Sequence, residues 1–100
     1  MSLRNKILNL LADIPDPKRR IEYARTIYYL YNVFLSGGAN EAEIKRALFD
    51  IAYHVIDERN PLLDEETKKA KAKDFAEDIY KAFIAESLGR IIRRKYKFGL

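Results

Sequence analysis

Apolar side chains recur along this chain every three or four residues and nowhere alternate one in two, so the pattern predicts helices and no strands. At about 100° per residue, Tyr23, Ala24, Ile27, Tyr28, Leu30, Tyr31, Phe34 and Leu35 fill half of one helix's circumference. Glu22, Arg25, Thr26 and Asn32 take the other half. A second stripe joins Ile44, Ala47, Leu48, Ile51, Ala52 and Val55, and Phe49, Tyr53 and Ile56 widen it. A third joins Ala72, Phe75, Ala76, Ile79, Ala82 and Phe83.

The residues between these stripes mark where each helix starts and stops. Ser2 can cap a first helix, which must end near Ile14 because a residue before proline avoids the helical region. Asp16 is an N-cap for a second helix, with Pro17 at the first position, where its missing N–H is no loss. That helix runs to Leu35 and is closed by Ser36-Gly37-Gly38, where glycine can take a left-handed cap. Asn40 and Glu43 form a capping-box pair for a third helix ending near Arg59, ahead of Asn60-Pro61. Asp64 caps a fourth, whose Glu65 and Glu66 suit the positive end of the helix dipole. Gly89 ends this helix, kinks it or is carried through into the last segment.

The fold class is therefore all-α, a compact bundle of four to five helices in a single domain spanning residues 1–100. Residues 23–37 (YARTIYYLYNVFLSG) and 75–89 (FAEDIYKAFIAESLG) share Ala, Ile-Tyr and Gly at matched positions, and Tyr exchanges with Phe at two more. These are the second helices expected if the bundle is built from two similar helical hairpins.

Composition narrows the chemistry. With 48% hydrophobic and 34% charged residues the chain is globular. It has no cysteine, which removes disulfides, thiolate nucleophiles and thiolate metal sites and points to the cytoplasm. The start is too short and too polar for a signal peptide, and no stretch is apolar enough for a transmembrane segment. Gln is absent and Met occurs once amid abundant Lys, Arg, Glu, Ile and Tyr, a thermophile-like usage.

The net charge of +4 is uneven. The first twenty residues hold five basic and two acidic side chains and the last twenty hold six and one, while acids outnumber bases between. Lys18, Arg19 and Arg20 open the second helix, where the dipole disfavours them. Five cations fall between Arg90 and Lys97. On a helix Arg90, Arg93, Arg94 and Lys97 share one face, opposite Leu88, Ile91, Ile92, Tyr96 and Phe98. Dipole compensation accounts for the last turn of such a stripe but not for one that begins at Arg90. The pattern predicts an apolar face docked on the bundle and a basic face turned outward.

Candidate chemistry is sparse. The single histidine, His54, shares a polar stripe with Glu43, Asp50 and Asp57, but Arg46 lies in it too, and the Glu-x-x-His spacing of carboxylate-bridged metal bundles is missing. A metal-dependent hydrolase would need Asp50 and His54 to face fourth-helix carboxylates across a cleft. The acids of that helix alternate with Lys68, Lys69, Lys71 and Lys73 in ordinary salt-bridge spacing. No catalytic set, no metal site and no cofactor motif is expected. The expected function is a non-catalytic binding module associating with nucleic acid or another polyanion through Lys18, Arg19, Arg20, Arg90, Arg93, Arg94 and Lys97. The alternative is a protein–protein interaction or scaffold protein, homodimeric or heteromeric, whose interface includes Tyr29, Val33, Phe49 and Tyr53.

Overall fold

The computed structural model describes residues 2–98, with the side chains of residues 2–90. Four helices follow in order: α1 (Leu3–Leu11), α2 (Pro17–Ser36), α3 (Glu41–Arg59) and α4 (Glu65–Phe98). Among the described residues there is no strand.

The caps form as the sequence predicts. Ser2 Oγ accepts from Asn5 N–H, Asp16 from Lys18 N–H and Asp64 from Thr67 N–H. Asn40 and Glu43 complete the capping box with bonds of 2.9 and 3.1 Å. Gly37 takes φ +71°, so the N–H groups of Gly37 and Gly38 turn back to the carbonyls of Phe34 and Val33 and end α2 in a Schellman turn. One boundary differs from expectation and one open question closes. α1 stops at Leu11, and a turn from Ile14 N–H to the Leu11 carbonyl folds Ile14 into the core. Gly89 neither ends nor splits α4, which runs on to Phe98.

Ion pairs between helices define the chain directions. Lys45 of α3 meets Glu77 of α4, and fifteen or so ångströms further along, at about 1.5 Å per residue, Asp57 meets Lys68, so these helices are antiparallel. Arg19 at the start of α2 bonds Glu58 at the end of α3, and Phe34 near the end of α2 packs on Tyr80 and Phe83. α1 descends beside them, from Lys6 on Asp78 to the Leu10 carbonyl held by Arg59. The result is an up–down bundle in which Ile7, Leu10, Ile27, Ile44, Leu48, Val55, Ile79 and Phe83 are fully enclosed. A smaller apolar cluster of Ala52, Ile56 and Ala72 sits where α3 and α4 start to diverge into their loop.

α3 is 19 residues long and α4 is 34. α4 therefore continues for roughly four turns beyond the level at which α3 begins, which accounts for the 55 Å long dimension.

Candidate interaction surface

The basic clusters are held by different parts of the bundle. Lys18, Arg19 and Arg20 form the first turn of α2. Arg19 Nε lies 2.6 Å from Glu58 Oε1, and its guanidinium sits 6.0 Å from the Tyr23 ring centroid. Tyr23 and then Glu58 raise its already high pKa, so Arg19 works as a staple between α2 and α3. Lys18 is exposed and Arg20 half-buried.

Arg90 is exposed on the far part of α4. Arg19 pairs with Glu58 while Asp57, its chain neighbour, pairs with Lys68. Arg90 stands 22 positions beyond Lys68, so the clusters lie about 33 Å apart along the bundle. The structure does not bring Lys18, Arg19 and Arg20 next to Arg90. The side chains of Arg93, Arg94 and Lys97 lie outside the described residues.

At the start of the terminal stretch the helix phase differs from expectation. Leu88 is half-exposed on the side of α4 opposite Ile79, while Arg90 continues the core-facing line of Ile79, Phe83 and Glu86 to within about 20°. At this height α3 no longer lies alongside, so Leu88 has no neighbouring helix to cover it.

Tyr29, Val33, Phe49 and Tyr53 do not form one patch either. Tyr29 is exposed on the outer side of α2, and Val33, one turn on, packs beside the Gly37-Gly38 turn. Phe49 and Tyr53 stack at 6.4 Å on the α4 side of α3, against the Ala52–Ile56–Ala72 cluster. The Tyr53 hydroxyl donates to Glu65 Oε2 at 2.5 Å, and this bond more than anything else pushes the phenol above its ordinary pKa. The wide apolar face of α3 is largely filled by α4.

The open apolar surface lies instead on α2. Ile21, Tyr28 and Leu35, seven residues apart, are 52%, 40% and 40% exposed. Tyr28 and Leu35 fall within the half-circumference that the periodicity assigns to the core, but the bundle does not reach that far round the helix. Ile21 borders a groove of about 370 Å³ between α1 and α2, lined by Leu8, Leu11, Pro17, Arg20 and Ala24 among others. Leu8 is more than half exposed at its rim. The seven-residue spacing was present in the sequence, hidden by the stronger stripe beside it.

Polar clusters elsewhere serve the fold. Lys68 is the one buried charged side chain among the described residues, 2.6 Å from Asp57 Oδ1 and 3.2 Å from the Pro61 carbonyl. Asp57 chiefly holds its pKa above the ordinary value, and the pair ties the α3–α4 loop. Arg59 bonds the Leu10 carbonyl and Asp13, closing the α1–α2 turn over the end of α3. Asp50 and His54 are both exposed, and Tyr53 rather than a fourth-helix carboxylate is the neighbour that His54 meets. Among the described residues no three of His, Cys, Asp or Glu converge on a metal-sized point, and no helix is long and apolar enough to cross a membrane.

Compared with protein-family models, curated proteins and solved structures, the chain matches none. The class defined by its own geometry is an up–down four-helix bundle with an outward apolar row on α2.

Proposed function

We propose that this protein is a non-catalytic protein-interaction module that engages its partner through the outward row of α2. The observation carrying this reading is the exposure of Ile21, Tyr28 and Leu35 at heptad spacing on one ordered helix. Exposed apolar rows that follow a regular secondary-structure period mark contact surfaces, and tyrosine is enriched in them. The cytoplasm is the compartment this reading takes, in keeping with a chain that has no cysteine.

Affinity purification of the tagged chain from its native cells tests it, beside an Ile21→Asp/Tyr28→Asp variant of unchanged helicity. A defined protein retained in fixed proportion by the parent and lost by the variant supports the module. Identical profiles from the two would overturn it.

A second reading is favoured by the exposed Arg90 on the part of α4 that outruns α3. Here the terminal stretch alone, with Arg90, Arg93, Arg94 and Lys97, contacts nucleic-acid phosphates, and Lys18 and Arg20 take no part. Anisotropy titration on short duplex DNA would then give a salt slope near −0.9 per phosphate contact, reduced when these cations are neutralised. Absence of binding at low salt removes this reading and leaves the first untouched.

A further inference from the structure

α2 carries two apolar rows side by side. Tyr23, Ile27, Leu30 and Phe34 turn toward the core. Pro17, Ile21, Ala24, Tyr28 and Leu35 follow the alternating three- and four-residue steps of a coiled-coil seam, in which Ala24 packs on the core while lining the groove and Tyr31 completes the set from within the core. From Ile21 to Leu35 the seam rises about 21 Å, which matches about four turns of a second helix.

The same arrangement is filled elsewhere in the molecule. In the matched segment of α4, Ala76 and Tyr80 correspond to Ala24 and Tyr28. Tyr80 is only 9% exposed, with the Phe34 ring of α2 edge-on at 5.6 Å and Lys45 Nζ of α3 5.2 Å from its ring centroid. α3 has 19 residues to cover α4, whereas α1 has nine to cover α2. Tyr28 stays 40% exposed.

The charges flanking the seam define what fits there. Lys18 and Arg25 occupy the position just past each a residue's partner, the e position, and Arg20 occupies g. Arg4 is exposed on α1 one turn before Leu8, beyond the residues that line the groove. Among the described residues none of these four side chains forms an ion pair. No acid occupies an e or g position between Pro17 and Leu35. A second copy of this chain laid on the seam would set Lys18, Arg20 and Arg25 against the same cations, and like charges at these positions reject a partner.

We propose that the seam of α2, with Leu8 of α1 at its edge, receives an amphipathic helix of another protein whose apolar stripe is flanked by aspartate or glutamate. This deepens the reading of the chain as a protein-interaction module and rests on it. The partner's apolar residues enter between Ile21, Ala24 and Tyr28, and its acids meet Arg4, Lys18, Arg20 and Arg25.

Three labelled synthetic peptides of about three heptads test this, alike in leucine at a and d but carrying Glu, Gln or Lys at e and g. The Glu peptide should bind the full-length chain about tenfold more tightly than the Gln peptide, and the Lys peptide should not bind. Raising the salt should shrink the difference. Arg20→Glu/Arg25→Glu should reverse the order of Glu and Lys peptides, and Ile21→Ser/Tyr28→Ser should lose the Glu and Gln peptides while melting as the parent does. Equal binding of the three peptides overturns the acidic partner but leaves the seam as a docking surface. Binding to none overturns the seam as a helix receptor, and the native purification then decides the module reading separately. A dimer in sedimentation that Ile21→Ser/Tyr28→Ser makes monomeric assigns the seam to a second copy and overturns the proposal. So does binding to phosphatidylglycerol vesicles without binding of the Glu peptide, which assigns it to a lipid surface.

Discussion

Residues 23–37 of α2 and 75–89 of α4 place similar side chains in matched order, yet the bundle treats them differently. Ile27 and Ile79 are both enclosed, and Tyr31 and Phe83, also matched, meet each other with ring centroids 5.2 Å apart. Tyr28 and Tyr80 part company: one stays open and the other is covered by Phe34 of α2 and Lys45 of α3. Gly37 ends its helix at positive φ, while Gly89 lies inside a continuing one. The difference teaches that an amphipathic pattern states how much apolar surface a helix offers. The neighbours available at each height state how much is used.

Substitutions at matched positions sharpen or break this comparison. The largest expected effect is shared: Ile27→Ala and Ile79→Ala should each lose about 2–5 kcal/mol in chemical denaturation, since both leave cavities in one core. Unequal losses would mean the two rows are not equivalent where they are buried. The next pair should diverge. Tyr80→Ala should cost about 3 kcal/mol, like other large buried aromatic truncations, and Tyr28→Ala no more than about 0.5 kcal/mol. A comparable loss from Tyr28→Ala would show that its ring already has the cover that Tyr80 has.

The glycines should differ in sign. Gly37→Ala forces a β-carbon into the left-handed region, at about 1–2 kcal/mol. An added β-carbon at Gly89 meets nothing within 4 Å, so Gly89→Ala should stabilise α4 by up to about 1 kcal/mol. Both are read from thermal and urea melts. Tyr31→Phe tests the pair in the core. The Tyr31 hydroxyl is buried without a hydrogen-bond partner among the described residues, and its counterpart Phe83 has no hydroxyl to bury. Removing it should gain about 1 kcal/mol. A loss would reveal a partner for that hydroxyl.

The smallest effect concerns the cap of α4. Bonds from Thr67, its side chain first and then its N–H, hold the Asp64 carboxyl below its ordinary pKa. A depressed carboxylate stabilises the fold above its ordinary value, and that contribution is lost as the pH falls through the depressed one. Asp64→Asn keeps a capping side chain and removes the titration. The acid limb of a stability–pH profile should therefore flatten relative to the parent.

The helix starts were legible because capping is local. Ser2, Asp16, Asn40 and Asp64 need only their own next three residues to act, and each does so. The core residues of α3 and α4 were legible for the related reason that periodicity places them on one face. The candidate surfaces were not. Phe49 and Tyr53 read as spare apolar area on α3 until α4 and Glu65 are placed beside them. Lys18, Arg19 and Arg20 read as one cluster until Glu58, 39 positions beyond Arg19, removes its central member. The seam of Ile21, Tyr28 and Leu35 was written in the sequence at regular spacing, but nothing local separates it from the core row.

By itself, then, the sequence determined that this chain is helical, where each helix begins, that the Gly37-Gly38 pair can turn the chain and which stripes are apolar. These follow from side chains acting on backbone within a turn or two. Only the tertiary structure decided that α4 runs through Gly89, that Lys68 is buried, that Lys18, Arg19 and Arg20 stand far from Arg90 and that α2 keeps an open face. Each of those depends on which helix lies alongside and how long it is, and α1 is too short to cover what α3 covers on the other hairpin.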